Sequence, residues 1–282
     1  MAHLKIRNIK DGFGAEITGL DPSKELDDET RGILRKLFDE RSMLLFPKLN
    51  ADQAYQSKLC RMVIGDDGSG TISDKSYNIS NKEKDGSAPY GRLLFHADMM
   101  WHPTPFDVLS LYGLTVEPGS ATTSLASGVS AYLALPPDLR ERVENLQALH
   151  VTGQVPGRGD ADILDSQRAQ EVSTVKPVVQ RHPRTGKPIL YVGQQNTREI
   201  VGLPHDESEA LLQTLFSYLY SPENVYEHSW SDGDLLIFDN VAMQHGRGYV
   251  ELNGPTRTLR KVIAPITTTT AERPRFANAP RM

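Results

Sequence analysis

His96 and Asp98 lie two residues apart in RLLFHADMMW, and their types and spacing suit metal chemistry. In an extended stretch, residues i and i+2 project from one face about 6 to 7 Å apart, so both heads can reach one ion. Cys60 is the only cysteine, so no intrachain disulfide and no cysteine-based zinc or iron–sulfur site can form. Any metal therefore falls to His, Asp and Glu. A second imidazole from a distant strand would complete a 2-His-1-carboxylate triad, which leaves three positions of an octahedral Fe(II) open. His245 is the best third candidate because it closes the apolar block LLIFDNVAMQH. Alone, H-x-D is weak evidence, since such pairs are common in surface loops.

The other histidines have plainer readings. His102, followed by Pro103, is a less natural ligand and reads as structural. His3, His182, His205 and His228 sit in polar or turn-like surroundings and read as surface residues. His150 ends an expected helix, where a cation suits the dipole. Arg257 follows His245 across Asn253, Gly254 and Pro255, a turn signal. A hairpin there would return its guanidinium to the side of His245, where its planar fork can take a carboxylate. Such a charge-assisted contact is worth roughly 1.5 to 3 kcal/mol. An arginine on an exposed strand face is the bland alternative.

These residues need a rigid frame, and the chain is patterned to supply one. Gly12 to Asp21 reads as a short strand bracketed by glycines, and Asp27 to Arg41 as a helix with Ile33, Leu34, Leu37 and Phe38 at helical spacing. Met43 to Phe46 reads as a buried strand, and Asn50 as the cap of a helix running to Val63. Further strands are expected at Leu93 to Trp101, Val108 to Val116, Ser124 to Ser127, Val175 to Gln180 and Pro188 to Val192. Asp234 to Asp239, Gln244 to Leu252 and Arg257 to Ile263 complete that set. Helices are expected at Val129 to Leu133, Asp138 to Leu149 and Glu207 to Tyr220. Two polar stretches, near 65–91 and 153–172, read as insertions or functional loops. HPRTGKP reads as a turn, because its GK lacks the upstream Gly of a phosphate loop, and GRGD reads as a turn as well.

The balance of 31 Lys and Arg against 36 Asp and Glu, a formal −5, comes without a long block of one sign. That argues against a nucleic-acid partner. No apolar run reaches the roughly 20 residues of a bilayer span, and MAHLKIRNIK lacks the apolar core of a secretory signal, so a cytoplasmic protein is expected. No repeat and no linker divides the chain, which reads as one domain over 1–282. Nothing decides between a monomer and a homo-oligomer.

In order and spacing, GAEITGLD, the H-x-D at 96 to 98, PGSATTSLASG, LYVGQQNTREI, LLIFDNVAMQH and GPTRTLRKV resemble the taurine dioxygenase (TauD/TfdA) family. The resemblance runs from about Phe13 to Ile263. It implies an α+β, mainly β fold, a double-stranded β-helix or jelly roll with flanking helices. It implies an Fe(II)- and 2-oxoglutarate-dependent dioxygenase that uses dioxygen, releases succinate and oxidises a C–H bond of a small substrate. Hydroxylation is favoured over desaturation or oxidative cleavage. Carried over residue by residue, His96, Asp98 and His245 become the iron ligands, and Arg257 and Thr123 the holders of the distal 2-oxoglutarate carboxylate.

Lys261 falls where several members have a second arginine for an anionic substrate. Lysine keeps the charge but loses the bidentate fork, which allows an anionic group and weakens the case for a sulfonate. Asn196 falls where taurine dioxygenase presents an aromatic ring, and hints at a more polar substrate. The polar loop before H-x-D adds Tyr77, Asn78, Asn81, Tyr90 and Arg92, of which Tyr90 and Arg92 are taken as substrate candidates. Two competing readings are a zinc-dependent hydrolase on the same ligands and a non-catalytic jelly roll that binds a small molecule. Zinc normally wants a tetrahedral site and an adjacent general base, which nothing near either histidine nominates. A binding module would leave the ordered His, Asp, His and Arg as coincidence.

Overall fold

A computed structural model describes residues 4–66, 76–158 and 172–264. Among them are sixteen strands and five helices, an α+β arrangement of mostly antiparallel sheets. The first part runs β1 (Lys5–Asn8), β2 (Ala15–Thr18), α1 (Asp28–Arg41), β3 (Met43–Phe46), α2 (Gln53–Val63) and β4 (Tyr77–Ser80). Then come β5 (Gly91–His96), β6 (Val108–Val116), β7 (Thr123–Ser127), α3 (Gly128–Ala134), α4 (Pro137–Val143) and β8 (Gln147–Val151). The third group is β9 (Ser173–Pro177), β10 (Val179–Arg181), β11 (Pro188–Leu190), β12 (Thr197–Ile200) and α5 (His205–Leu219). The last is β13 (Val225–His228), β14 (Leu235–Asp239), β15 (Met243–Val250) and β16 (Arg257–Ala264).

Seven strands form one sheet in the order β1-β2-β3-β14-β6-β16-β4, and four form a second in the order β13-β7-β15-β5. Side chains alternate across a strand, so each central strand of the large sheet feeds two cores. Leu44, Phe46, Val108, Leu235, Ile237, Val262 and Ala264 pack under α1 and α2 with Leu34, Phe38, Leu59 and Val63. Their neighbours Met43, Leu45, Leu109, Leu111, Leu236, Phe238, Leu259 and Ile263 face the other way. There they meet Leu125 of β7 and Met243 of β15, so the two sheets share an apolar core. Truncating one of these fully buried side chains to Ala costs about 2 to 5 kcal/mol.

A third core joins α3, α4 and α5 to β8, β10, β11 and β12 through Ala131, Leu139, Ala148, Leu190, Leu211 and Leu215. Its link to the four-stranded sheet is Tyr220, just past α5. The Tyr220 ring stacks on Phe95 at 4.3 Å, and its hydroxyl donates to Gln244 Oε1 at 2.7 Å. Phe95 and Gln244 are the chain neighbours of His96 and His245. The helical layer therefore braces the two histidine-bearing strands from behind.

Several expectations need correction. Asp52, rather than Asn50, caps α2 by accepting from the Tyr55 N–H at 2.7 Å. The expected helix Asp138 to Leu149 stops at Val143, and Gln147–Val151 is a strand, because pairing with β9 and β12 outweighs local helix propensity. The expected strand Leu93 to Trp101 ends at His96. The polar stretch 65–91 contains β4, paired with β16; positions 67–75 of it, and 159–171 of the second stretch, lie outside the described residues. No helix of the described residues is long and apolar enough to cross a membrane.

Candidate functional site

Strands β5 and β15 are antiparallel neighbours, and their register sets His96 directly opposite His245. The close approach uses Gly246, where a Cβ would meet the Leu93 carbonyl oxygen at 3.1 Å. The imidazole centroids are 4.3 Å apart. Asp98 turns in from the end of β5, its Oδ1 3.4 Å from His96 Nε2 and 3.6 Å from His245 Nε2. The three donor atoms lie within 4.8 Å of one another, and among the described residues this is the one group of three such side chains that could hold a metal ion.

The protonation pattern suits that task. His96 Nδ1 lies 2.7 Å from the Leu94 carbonyl oxygen. A carbonyl only accepts, so Nδ1 carries a hydrogen, which leaves Nε2 as the ring atom aimed at Asp98 and His245. Burial keeps His245 well below the ordinary imidazole pKa, and His96 and Lys261 add to that effect, so the ring is neutral. Burial opposes the charge on Asp98, yet Lys261 and the two imidazoles hold its pKa well below the carboxylate range. Two imidazoles and one carboxylate are the donor set of an open octahedral site.

A second concentration of charge lies beside the triad. On β16, Arg257, Leu259, Lys261 and Ile263 share the inward face. Arg257 is 3 % exposed; its Nε donates to the Ala121 carbonyl at 2.8 Å and its Nη2 to Thr123 Oγ1 at 2.9 Å. Asn81 holds its backbone, accepting from the Arg257 N–H at 2.9 Å. Arg247, two residues beyond His245 on β15, donates to the carbonyls of Ala88, Tyr90 and Gly91 at 2.7, 2.9 and 2.8 Å. Among the described residues neither guanidinium forms an ion pair. Burial lowers the pKa of Arg257, and the charge of Arg247 lowers it further. A buried cation without a counter-charge is costly, so a region that collects two favours an anionic ligand.

Thr123 is oriented by its donors. Its Oγ1 accepts from Arg257 and also from Trp230 Nε1 at 2.9 Å. A hydroxyl has two lone pairs and one hydrogen. With both lone pairs engaged, the hydrogen is left for a further acceptor.

The remaining expected site residues scatter. Lys261 is buried, and its ammonium bonds to Asp98 Oδ2 and lies over the Tyr77 ring. Asn196 gives both amide hydrogens to the Val151 and Gly153 carbonyls, at 3.1 and 2.8 Å. Tyr90 is half-buried and Arg92 exposed. Arg260 faces the helices. His102 bonds within its own turn to Thr104. His205 is exposed and His3 lies outside the described residues.

Three histidine readings are overturned. His182 is 3 % exposed, with Nε2 2.9 Å from Asp239 Oδ2, and His228 is buried with Nε2 3.3 Å from Asp234 Oδ2. Asp239, 57 residues on in the chain, and Asp234, across the turn, lie beside these buried imidazoles, which the polarity of their immediate neighbours could not reveal. His150 is buried in β8, beside Thr197, rather than at a helix end. Sequence reasoning also missed Asn240, Arg247 and Trp230. The only advance signal was that each stands within a few residues of the motif or turn that places a site residue.

A family profile described as Taurine catabolism dioxygenase TauD, TfdA family, matches residues 5–263. The (S)-phenoxypropionate/alpha-ketoglutarate-dioxygenase of Sphingobium herbicidovorans is 29 % identical over 252 residues, 83 % of this chain and 85 % of that one. The alpha-ketoglutarate-dependent 2,4-dichlorophenoxyacetate dioxygenase of Cupriavidus pinatubonensis is 27 % identical over 260 residues, 84 % and 90 % of the two chains. Among solved structures, AAD-2 in complex with Mn(II) and N-oxalylglycine has a TM-score of 0.73 at 21 % identity, over 92 % of this chain and 96 % of that one. A taurine dioxygenase from Burkholderia xenovorans has a TM-score of 0.72 at 21 % identity, over 92 % and 90 %. The chain belongs to the TauD/TfdA family, which depends on Fe(II) and α-ketoglutarate (2-oxoglutarate), and it is an α-ketoglutarate-dependent dioxygenase, an oxidoreductase.

Proposed function

We propose that this enzyme oxidises, by hydroxylation, a C–H bond of a small polar or anionic substrate while 2-oxoglutarate is decarboxylated to succinate. The observation that carries the reading is the convergence of His96, Asp98 and His245 beside a buried arginine that has no ion-pair partner among the described residues. These three side chains would hold Fe(II), which when bound supplies the redox chemistry that couples 2-oxoglutarate and dioxygen to C–H oxidation.

The chain's own residues have distinct tasks in this reading. Arg257 anchors the distal carboxylate of 2-oxoglutarate, and the Thr123 hydroxyl donates to the same group. Lys261 steadies Asp98 through Oδ2 and offers its remaining donors to an anionic substrate. Asn196 has only Oδ1 left for a ligand, so it acts mainly on the shape of the wall. Tyr90 lines the approach, and Arg92 stands at its outer edge, where it can attract an anion. The two sheets with a shared core are read as the double-stranded β-helix of a single domain, with the site at one end.

The names of the two curated relatives point to carboxylate substrates, and a 27 % identical relative is an alkylsulfatase of Acinetobacter baylyi. Aryloxy acids, sulfonates, sulfate esters, phosphonates and amino acids are therefore the panel to test. Iron-loaded protein in air should release succinate above its basal rate with at least one anionic member. Succinate release that no member raises, from protein that binds both Fe(II) and 2-oxoglutarate, would contradict the substrate class.

A further inference from the structure

We infer that Asn240 is a positioning residue of the metal centre: its side-chain amide stands in for a sheet neighbour of Asp98 and fixes that carboxylate relative to His245. The need arises from the fold. Strand β5 ends at His96, so the ladder that holds the first histidine in register does not extend to Asp98. Asn240 supplies what the sheet no longer does. Its Oδ1 accepts from the Asp98 N–H at 2.8 Å, and its Nδ2 donates to the Asp98 carbonyl at 2.9 Å. A primary amide carries a donor and an acceptor side by side, so it can meet both polar groups of one residue as a neighbouring strand would.

The same side chain also closes the loop that follows. Its second Nδ2 hydrogen goes to the Phe106 carbonyl at 2.9 Å, and the Asn240 backbone N–H donates to the Asp107 carbonyl at 2.9 Å. The segment between begins with Met99 in the left-handed region, φ 57°, which a non-glycine residue adopts only when its surroundings hold it there. The exit from β5, the entry to β6 and the turn between β14 and β15 thus meet on one amide that is 0 % exposed.

That turn is itself held. Asp239 Oδ1 accepts from the Val241 and Ala242 N–H groups, each at 3.0 Å. Its Oδ2 takes Arg184 at 2.6 Å and lies 2.9 Å from His182 Nε2. His245 follows five residues after Asn240 on the same strand pair. Asp239 sets the turn, and Asn240 transmits its position to Asp98. A backbone shift of about 1 Å there would carry Oδ1 away from the point it shares with the imidazoles, a displacement that commonly costs on the order of 100-fold at a reacting centre.

This inference rests on the metal role proposed for the triad, and the experiment separates the two. Mn(II) is titrated into chelator-stripped full-length protein, with free Mn(II) read by electron paramagnetic resonance and thermal stability recorded alongside. The variants are Asn240→Ala, the isosteric Asn240→Asp, Asp98→Ala and Asn224→Ala. Asn224 is a buried asparagine that donates to the Ser127 and Leu219 carbonyls at 3.0 and 2.8 Å and bonds to none of the three ligands. Asp98→Ala should abolish tight binding. Asn240→Ala should weaken it about 10- to 100-fold, the usual cost of removing a group that orients a ligand. Asn240→Asp keeps the acceptor but loses both donors, so it should also weaken binding, and it decides the matter if the alanine variant does not fold. Asn224→Ala should lose stability and bind Mn(II) within about twofold of the parent, because Asn224 orients none of the ligands. Folded Asn240 variants that bind like the parent, with Asp98→Ala defective, would overturn the inference alone. Parent-like binding by Asp98→Ala would overturn the metal reading beneath it.

Discussion

Arg257 and Arg260 lie three residues apart on strand β16 and face opposite sides of the seven-stranded sheet. Arg260 points to the helical layer, where its Nε donates to Gln56 Oε1 at 2.7 Å and its Nη2 to the Ala51 carbonyl at 2.9 Å. It also lies over the Tyr112 ring, 4.5 Å from the centroid, and it still reaches solvent. Arg257 points between the sheets, bonds to Ala121 and Thr123, and is sealed from water. Both guanidiniums have good hydrogen bonds, so bonding does not tell them apart. The difference is what answers the charge: water and an aromatic face for Arg260, nothing among the described residues for Arg257. A sealed, unanswered cation marks a place for an anion. The rest of the strand follows the same division, with Val262 and Ala264 in the helical core and Lys261 beside Asp98.

The largest effect is expected at the triad. His245→Ala should abolish Fe(II)- and 2-oxoglutarate-dependent succinate release while circular dichroism shows the fold retained, and residual turnover near the parent rate would place the metal elsewhere. Next comes the arginine pair itself. Arg257→Met should raise the 2-oxoglutarate concentration needed for half-maximal succinate release roughly 10- to 100-fold, the value of one charge-assisted contact. Arg260→Met should leave it within about twofold and lower Tm instead. If the two effects came out reversed, the assignment of faces would be wrong.

A subtler probe is Trp230→Phe. Removing its N–H frees one lone pair of Thr123 and lets the hydroxyl turn away from the pocket. The 2-oxoglutarate requirement should rise about 2- to 10-fold, the range of one neutral hydrogen bond. No change would mean that the orientation of Thr123 does not matter to the cosubstrate.

The smallest expected effect concerns a buried base outside the site. Burial, with a contribution from Lys176, lowers the pKa of His150 to about 3. The unfolded chain takes up this proton as pH falls through about 6.5, whereas the folded chain resists until about 3. Stability should therefore be lost across that window as pH falls, by about 1 kcal/mol between pH 6 and pH 5. His150→Gln should flatten that part of the curve in urea titrations. An unchanged slope would assign the acid sensitivity to other groups.

How much of this could be read in advance depended on the range of the interactions. The central strands showed plainly, because the alternation of Leu44 and Leu45, or of Leu236 and Ile237, is imposed by two cores that any such sheet must fill. H-x-D, the apolar block before His245 and the turn before Arg257 were visible for the same reason: each is a local pattern. His182 and His228 were misread because the aspartates beside them, Asp239 at the end of β14 and Asp234 just before it, are 57 and 6 residues away. Asn240 carries no such local signal, since an asparagine bonded to a distant backbone looks like any asparagine in a turn. The strand at 147–151 was hidden because its partners, not its residues, decide its conformation.

One ferrous ion is expected to bind where His96, Asp98 and His245 meet, with 2-oxoglutarate anchored by Arg257. This binding is tested most directly by adding Fe(II) and then 2-oxoglutarate to the chelator-stripped protein without oxygen and recording the visible spectrum. A weak charge-transfer band that saturates at one iron per chain, is absent from His245→Ala and needs more 2-oxoglutarate in Arg257→Met is the predicted result. A folded, iron-binding protein that shows no band at any 2-oxoglutarate concentration, or a His245→Ala variant that shows the full band, would contradict it.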